Sequence, residues 1–410
     1  MLLDGESEKI LLDSGIIQSA LKKDASDIHL CPGNPPTARI HGKVVPLSDM
    51  VLTGEDVDKI VRLLTNRFML SDFFGENPRD LDYTVEMPST GRRFRINVFK
   101  QYHGSSIVMR VLSNRLRSLE ELGLPKKLEE LALERSGLVL VTGATGSGKS
   151  TTLAAMIEII NQRSEKHIIT IEDPIEIVFQ NKRSLIEQRE IGTHVPDFHI
   201  ALRSALRETP DVILVGEIRD EETAQMTLRS AQVGALVIAT LHTRSAQETI
   251  SRFLSLFSDD HRGGARLQVS DCLLAVVCQN LILTKNKEGR VAACELLLGT
   301  TAIRHLIRQD RMHLLHSAME IASEHGMITM EQSLVNHGNN GIISWEDAFS
   351  FCNEKEAFLA QMPPGLRRQF TIDWEMELDI KKLEALKESR LRIAGSDVYV
   401  KKEGGDEEMF

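Results

Sequence analysis

Residues 143–150 carry the residue types that hold phosphate groups in nucleotide-binding proteins. They read GATGSGKS and fit the pattern G-x-x-x-x-G-K-[ST], between the apolar run 138–141 and a run with helical character. The glycines permit a tight bend, so that backbone N–H groups and the N-terminus of the following helix face an anion. A plain glycine-rich turn is the simpler interpretation. The complete motif in its strand-to-helix context instead predicts a phosphate-binding loop for a nucleoside triphosphate.

The residues of this loop have distinct expected roles. Lys149 reaches the β- and γ-phosphates, and the Ser150 hydroxyl binds the Mg²⁺ ion that bridges them. Further contacts to the nucleotide are expected from the rest of the loop and the start of the helix: Gly143, Thr145, Gly146, Ser147, Gly148 and Thr151. The expected cofactors are therefore a nucleoside triphosphate and Mg²⁺.

Three further apolar runs each end in polar residues that could complete such a site. In chain order, these residues are Glu172 with Asp173, then Glu217, then His242. Near-continuous apolar runs that alternate with helices predict an α/β fold with a parallel sheet covered on both faces. Ligands of such sheets bind beyond the carboxyl ends of the strands. We therefore expect these side chains to lie together at the edge that carries the phosphate loop.

The polar residues after the strands suggest roles in phosphoryl transfer to water, which needs a positioned water and neutralised charge. Glu217 is the candidate for activating water. In the common pattern a metal-supporting Asp ends this strand, but here that position is Gly216. Glu172 and Asp173 are therefore expected to share the Mg²⁺ and water-positioning work, Asp173 indirectly, and His242 to contact the γ-phosphate. The alternatives are that the carboxylates cap helices and that His242 is structural.

The composition describes an ordinary globular protein. A length of 410 residues predicts two or three domains, and a net charge of −10 argues against a general nucleic-acid binder. No uncharged apolar run reaches the roughly 18 residues of a membrane-spanning helix, and the first residues do not resemble a signal peptide. We therefore expect a cytoplasmic location. The five cysteines show no zinc spacing, and most of them are expected to be buried thiols.

Changes in pattern along the chain predict five segments. Residues 1–112 combine short alternating strands with helices and predict an antiparallel α+β domain. Residues 113–123 read as an exposed linker and a candidate hinge. Residues 124–298 form the predicted parallel-sheet domain, 299–362 a C-terminal helical part, and 363–410 a C-terminal extension with an acidic end.

With these motifs, the chain resembles the secretion-type ATPases that drive type II secretion and type IV pili. The resemblance covers about residues 7–360. Besides the phosphate loop, it rests on four segments: ASDIHL at 25–30, IEDPIE at 171–176, PDVILVGEIRD at 210–220 and TLHT at 240–243. Glycine before the glutamate is usual in this family, so the resemblance accounts for Gly216.

The resemblance implies an architecture and two further site residues. It implies a hexameric ring of subunits, each with a RecA-like ATPase domain and a smaller PAS-like N-terminal domain, and with ATP between the two. It also implies that arginines of the N-terminal domain reach the phosphates. In this sequence they fall on Arg95 and Arg110. The other interpretation is that both are exposed strand arginines.

Within the family, the sequence favours the branch that powers pilus retraction. Residues 301–308 and 326–334 resemble segments of that branch, and the four-cysteine cluster typical of assembly and secretion members is missing. The implied function is an ATP-hydrolysing motor that disassembles type IV pili, for twitching motility, by rotating the N-terminal domain against the ATPase domain. The implied partners are an inner-membrane platform protein and a paralogous retraction ATPase, at the inner face of the cytoplasmic membrane, without nucleic acid.

Several alternatives stay open at this stage. A pilus-assembly or type II secretion ATPase shares every nucleotide motif. A nucleic-acid motor should show basic or aromatic pore loops, and an ATP-binding regulator should lack one of the catalytic residues. The longer C-terminus from residue 363 resembles the accessory retraction ATPases, so the choice between main motor and paralogue is also open.

Overall fold

The computed structural model describes residues 15–40, 42–87, 90–112, 116–368, 370–372 and 374. These residues form two compact units. The first contains the described residues up to Ile282 together with Arg290–Thr329. The second contains Leu283–Gly289 and the described residues from Met330 onwards. Part of the predicted linker, residues 113–115, and most of the predicted extension lie outside the described residues.

The N-terminal part of the first unit is built on a six-stranded antiparallel sheet. Its strands are β1 (Asp27–Leu30), β2 (Thr37–Ile40), β3 (Lys43–Pro46), β4 (Leu81–Met87), β5 (Arg92–Gln101) and β6 (Gly104–Leu112). Its helices among the described residues are α1 (Ile16–Lys22), α2 (Gly54–Leu64) and α3 (Arg67–Phe74). The spatial order of the strands is β3-β2-β1-β6-β5-β4.

Strand β5 shows how the sequence alternation places polar groups in this sheet. Phe94, Ile96 and Val98 are buried in the apolar core of the N-terminal part. Because successive side chains of a strand point to opposite faces, Arg93 and Arg95 share the other face. The sequence also predicts an amphipathic helix over residues 7–23, and its first half lies outside the described residues.

The central part of the first unit contains a seven-stranded sheet with helices between the strands. The strands are β7 (Gly137–Thr142), β8 (His167–Glu172), β9 (Leu185–Glu190), β10 (Val212–Val215), β11 (Leu236–Thr240), β12 (Leu273–Leu283) and β13 (Arg290–Leu298). The helices are α4 (Lys127–Ala132), α5 (Lys149–Arg163), α6 (Phe198–Ala205), α7 (Glu221–Gln232), α8 (Ala246–Ser255) and α9 (Asp259–Cys272). The strand order is β13-β12-β7-β11-β10-β8-β9.

The pairing of this sheet brings the predicted site residues to one edge. Within the run β12-β7-β11-β10-β8-β9, each strand pairs in parallel with the next. Every residue of β7, β10 and β11 is buried, which requires cover on both faces of the sheet. The carboxyl ends of β7, β11, β10 and β8 therefore lie side by side. The parallel-sheet α/β prediction is confirmed.

Helices form the region after the core sheet. In the first unit these are α10 (Thr301–Arg308) and α11 (Leu315–Ile321), with short 3-10 turns at Met312–Leu314 and Ser323–His325. In the second unit they are α12 (Met330–Asn339), α13 (Trp345–Phe351) and α14 (Lys355–Gln361). Over the part of the chain that the structure describes, no helix combines the length and apolar character needed to cross a membrane.

Helix α10 is amphipathic, and its apolar side is used for packing. Ile303 and Ile307 are buried in the main core. Arg304 donates hydrogen bonds from its guanidinium to the carbonyl oxygens of Gly299 at 2.7 Å and Leu273 at 2.9 Å. The isoleucines of this helix therefore pack in the core, and its arginine binds a carbonyl oxygen at the end of α9.

Candidate functional site

The phosphate loop follows β7 in a conformation that its glycines make accessible. The φ angles of Gly143, Gly146 and Gly148 are 139°, 79° and 92°, all in the region that favours glycine. A Cβ atom at Gly143 would also collide with the carbonyl oxygen of Gln279. The loop leads directly into the N-terminus of α5, where unpaired backbone N–H groups and the helix dipole favour an anion.

Lys149, the first residue of α5, is held over this loop. Its Nζ donates hydrogen bonds to the carbonyl oxygens of Gly143 at 2.8 Å and Ala144 at 3.1 Å. Burial lowers the pKa of this ammonium, while the carboxylates of Glu217 and Glu176 act in the opposite direction. The lysine is thus a cation at the mouth of the loop with acidic groups nearby.

His242 lies between Lys149 and Glu217. Its Nδ1 is 3.4 Å from Lys149 Nζ, and its Nε2 is 3.4 Å from Glu217 Oε1. Burial, and then the charge of Lys149, lower the pKa of the imidazole, so His242 is neutral at pH 7. The tautomer with hydrogen on Nε2 satisfies both neighbours, because Nδ1 then accepts from Lys149 and Nε2 donates to Glu217.

Glu217 is paired with an arginine that the sequence analysis did not assign. Arg219 contacts Glu217 Oε2 through Nε at 2.8 Å and through Nη2 at 2.7 Å. Its Nη1 also lies 3.6 Å from Asp173 Oδ2. Arg219 therefore bridges the carboxylates that follow β10 and β8. The signal for it was the arginine two positions after the glutamate within the PDVILVGEIRD segment.

The departure from the common strand-ending Asp has a steric reason. A Cβ atom at Gly216 would lie 3.1 Å from the carbonyl oxygen of Ile171 and 3.2 Å from Cα of Glu172. An aspartate at this position would require the end of β8 to shift. The candidate carboxylates do not cap the helices that follow them. Asp220 caps α7 by accepting from the backbone N–H of Thr223 at 2.7 Å, and Asp197 caps α6 by accepting from that of Ile200 at 2.7 Å.

Glu172 at the end of β8 has the most perturbed carboxyl group near the loop. Burial raises its pKa to about 7, against the opposing effect of its hydrogen bonds. Its Oε1 accepts from Thr170 Oγ1 at 2.6 Å and from Gln188 Nε2 at 3.2 Å. A carboxyl group that titrates near neutral pH can accept or release a proton under working conditions. The adjacent Asp173 is exposed and precedes a cis peptide bond to Pro174.

The two predicted arginines occupy neighbouring positions on the N-terminal sheet but differ in surroundings. Arg95 and Arg110 are directly opposite each other in the β5–β6 pairing. Arg95 donates to both carboxylate oxygens of Asp82, at 3.0 and 2.5 Å, and its pKa is raised by this bond and further by the charges of Asp173 and Glu176. Arg95 therefore faces the loop after β8.

Arg110 is held within the N-terminal sheet. Its Nε donates to Asp27 Oδ1 at 2.9 Å, while 65% of its side chain stays exposed. Burial of Asp27 would raise the pKa of that carboxyl, but the bonds from Arg110 and Ser26 lower it overall. The structure thus brings Arg95 towards the acidic loop, residues 172–176 at the end of β8, and leaves Arg110 on the open face beside it.

Gln279 forms a hydrogen bond to the phosphate loop, and the sequence analysis did not identify this residue. This β12 residue is buried, and its Nε2 donates to the carbonyl oxygen of Ser147 at 2.6 Å. Its Oε1 accepts from Thr152 Oγ1, on α5, at 2.8 Å. A single amide therefore joins the loop to the helix that follows it. The signal was one uncharged polar pair inside the apolar run of residues 273–283.

The residues near the loop fit a magnesium ion that is held mainly through a nucleotide. Ser150 lies in the first turn of α5, and the carboxylates of Glu172, Asp173 and Glu217 follow adjacent strands. Among the described residues, no group of three or more His, Cys, Asp or Glu side chains could hold a metal by itself. Mg²⁺ commonly takes one or two protein ligands and completes its shell with phosphates and water.

Comparison with known proteins assigns the family. The family model described as "Type II/IV secretion system protein" matches residues 3–349. The chain belongs to this family. A type IV pilus retraction ATPase, PilT of Pseudomonas aeruginosa, is 41% identical over 333 residues, which cover 81% of this chain and 96% of that protein. The type IV pilus ATPase PilU of the same organism is 37% identical over 335 residues, covering 82% and 87%.

A solved structure gives the same result for this type II/IV secretion system family member. The crystal structure of the pilus retraction motor PilT with bound ADP is 42% identical and superposes with a TM-score of 0.78. It covers 83% of this chain and 97% of that chain. The predicted family, fold class and ATPase class of enzyme are therefore confirmed. The individual site residues and the domain boundaries stay predictions.

Proposed function

We propose that this chain is the subunit of an ATP-hydrolysing motor that powers type IV pilus retraction. The observation that carries the proposal is the contact series from Lys149 through His242 to Glu217 at the phosphate loop. It combines a phosphate-binding cation, a neutral imidazole and a carboxylate at the edge where nucleotides bind parallel sheets. The similarity to PilT along nearly that protein's whole length supports the pilus system as the setting.

Nucleotide binding in this proposal uses the phosphate loop and the start of α5. Lys149 leaves the loop carbonyls for the β- and γ-phosphates, while backbone N–H groups of the loop surround them. The contacts to the nucleotide come from Gly143, Thr145, Gly146, Ser147, Gly148 and Thr151. The Ser150 hydroxyl and, indirectly, Asp173 would hold Mg²⁺, which would neutralise charge on the phosphates.

Hydrolysis then depends on the carboxylates and arginines around the γ-phosphate. Glu217 orients the attacking water, and Glu172, with its pKa near neutrality, accepts the proton that this water loses as its oxygen bonds to the γ-phosphorus. His242 donates its Nε2 hydrogen to Glu217 and contacts the γ-phosphate. The Glu217 carboxylate therefore responds to the presence of this phosphate. Arg95 and Arg110 approach the equatorial oxygens from the N-terminal sheet, where they stabilise the charge of the transition state.

Mechanical work in this proposal comes from rotation of the N-terminal part against the ATPase core. The arginines are on the N-terminal sheet and the phosphate loop on the core sheet, so nucleotide binding and release change the attraction between them. Residues 113–123 act as the hinge. The motor is a homo-hexamer at the inner face of the cytoplasmic membrane. It acts on a membrane platform protein of the pilus, with a paralogous ATPase as a second partner.

A pilus-assembly or type II secretion ATPase is the second candidate, and the cysteines argue against it. Cys272, Cys278, Cys294 and Cys352 are buried free thiols, and burial raises the pKa of each. None of the described cysteines belongs to a group that could hold a metal. The similarity to a retraction ATPase also extends over more of the relative than the similarity to type II secretion system protein E of Klebsiella pneumoniae, at 96% against 56%.

Complementation in cells tests the proposal. The gene is expressed in a bacterium that lacks its own retraction ATPase, beside a Glu217→Gln variant at matched protein level. We expect the wild-type chain to restore twitching motility and remove surplus surface pili, and the variant to do neither. Restoration of pili in a strain that lacks its assembly ATPase, without rescue of retraction, would support the second candidate instead.

A further inference from the structure

Arg93 is a buried charge that joins the N-terminal sheet to the ATPase core. This β5 residue is only 6% exposed. Its Nη1 donates to the carbonyl oxygen of Ile175 at 2.6 Å, and its Nη2 donates to Thr84 Oγ1 at 2.8 Å. Nη2 also lies 3.6 Å from Glu190 Oε2. Ile175 follows β8, and Glu190 ends β9, so the guanidinium reaches two segments of the core.

Glu190 is the residue of the core that pairs with Arg93. It is 2% exposed, and its Oε2 accepts from the backbone N–H of Ile175 at 3.1 Å and from Thr84 Oγ1 at 2.8 Å. Its Oε1 accepts from Thr193 Oγ1 at 2.9 Å. The Thr84 hydroxyl therefore accepts from Arg93 and donates to Glu190. Two buried side chains of opposite charge therefore share one hydroxyl and bind the backbone of one residue, Ile175.

Ile175, the residue that both side chains bind, belongs to the acidic loop of the nucleotide site. Both backbone polar atoms of Ile175 are bound, the N–H by Glu190 and the C=O by Arg93. Glu172 and Asp173 lie three and two residues before it, respectively. The position of these carboxylates therefore depends on an arginine of the N-terminal sheet and a glutamate of the core at the same time.

The same strand also carries Arg95 towards this loop. Arg93 and Arg95 are two positions apart on β5 and point to one face of the sheet. A movement of β5 that withdraws Arg95 from the acidic loop also withdraws Arg93 from Ile175. Separation would break the contacts of Glu190 with the Arg93 guanidinium and the Thr84 hydroxyl. The arrangement therefore has a docked state in which all partners are satisfied.

We propose that Arg93 is a positioning residue, which holds the loop of Glu172 and Asp173 in its catalytic place only while the N-terminal sheet is docked on the core. This inference rests on the proposed function. Its consequence is that ATP can bind to the phosphate loop in either state, whereas hydrolysis requires the docked state. The Arg93–Glu190 contact thus couples the position of the N-terminal sheet to the rate of the chemical step.

The test compares Arg93→Gln, Glu190→Gln and the double variant with wild type in the full-length protein. Measurements are kcat for ATP hydrolysis, the Kd of a fluorescent ATP analogue, and the melting temperature. Arg92→Gln is the matched control, because Arg92 is an exposed neighbour on the opposite face of β5. Loss of loop position should lower kcat by about tenfold to a hundredfold in either single variant, with Kd within about threefold of wild type.

The double variant separates positioning from simple packing. It removes both charges, and Glu190→Gln does so without changing side-chain size, so the double variant should turn over faster than either single variant and more slowly than wild type. Wild-type kcat in Arg93→Gln, or a parallel loss of kcat and binding, would overturn the inference. If a single variant does not fold, a wild-type kcat in the double variant would overturn the inference. Absence of ATP hydrolysis by the wild-type protein would instead refute the proposed function.

Discussion

Nε2 of His242 lies 3.4 Å from Oε1 of Glu217, so the imidazole after β11 touches the carboxylate after β10. On the other side of the ring, Nδ1 faces Lys149 at 3.4 Å. The imidazole is neutral at pH 7, because burial and the lysine both lower its pKa. When Lys149 moves on nucleotide binding, the His242 imidazole therefore transmits the change to the Glu217 carboxylate.

His242→Asn should lower kcat while ATP binding persists. The substitution keeps an amide near Lys149 but cannot bridge the lysine and Glu217, so the water-activating carboxylate loses its orientation. We expect a fall of about tenfold to a hundredfold in kcat, measured by phosphate release. His313→Asn, at an exposed histidine in a short turn, is the matched control. A wild-type rate in His242→Asn would leave this histidine with a structural role only.

The pH dependence of hydrolysis should report Glu172. Burial raises the pKa of this carboxyl to about 7, so the group is protonated below that pH and ionised above it. A base must be ionised, and kcat should therefore rise between pH 6 and pH 8. In Glu172→Gln, kcat should be lower throughout and should lose this step. A step near pH 7 that persists in the variant would assign the titration to another group.

Gln279→Leu should weaken ATP binding more than it slows turnover. The substitution removes the donor to the Ser147 carbonyl and the acceptor for Thr152, and it leaves two buried polar groups unsatisfied. Each unsatisfied group costs roughly 1–3 kcal/mol, so we expect KM for ATP to rise by about tenfold. Thr152→Val is the matched comparison, because it removes only the contact to the helix. An unchanged KM in both variants would contradict a supporting role for this amide.

Arg95→Gln should lower kcat by about tenfold or more, because a guanidinium near the transferring phosphate stabilises transition-state charge. ATP binding to the phosphate loop should change less. The rates are measured at saturating ATP beside Arg67→Gln, an exposed arginine at the start of α3. Equal rates for Arg95→Gln and wild type would support the view that Arg95 only pairs with Asp82 on the surface of the sheet.

The parts of the site that could be predicted from the sequence are those encoded by local pattern. The phosphate loop needs glycines at fixed spacing, and its strand and helix are adjacent in the chain. Glu217 and His242 could be placed because parallel strands put their carboxyl ends at one edge. No contact between these side chains had to be known in advance.

The supporting contacts could not be predicted, because they join residues that are far apart in the chain. Thr84 and Glu190 are separated by 106 positions, and Gln279 reaches Ser147 across 132. Arg93 reads as an ordinary polar strand residue in the sequence, since alternation assigns it to a face but not to a partner. Only the packing of the N-terminal sheet on the core makes that face buried.

The central claim is that Glu217 serves ATP hydrolysis at this phosphate loop. Its most direct test is the steady-state ATPase rate of the purified wild-type protein beside Glu217→Gln, with Glu222→Gln as a control at an exposed carboxylate nearby. The account predicts turnover in wild type and control, and a loss of about a hundredfold or more in Glu217→Gln with ATP still bound. Equal turnover in all three proteins would contradict it.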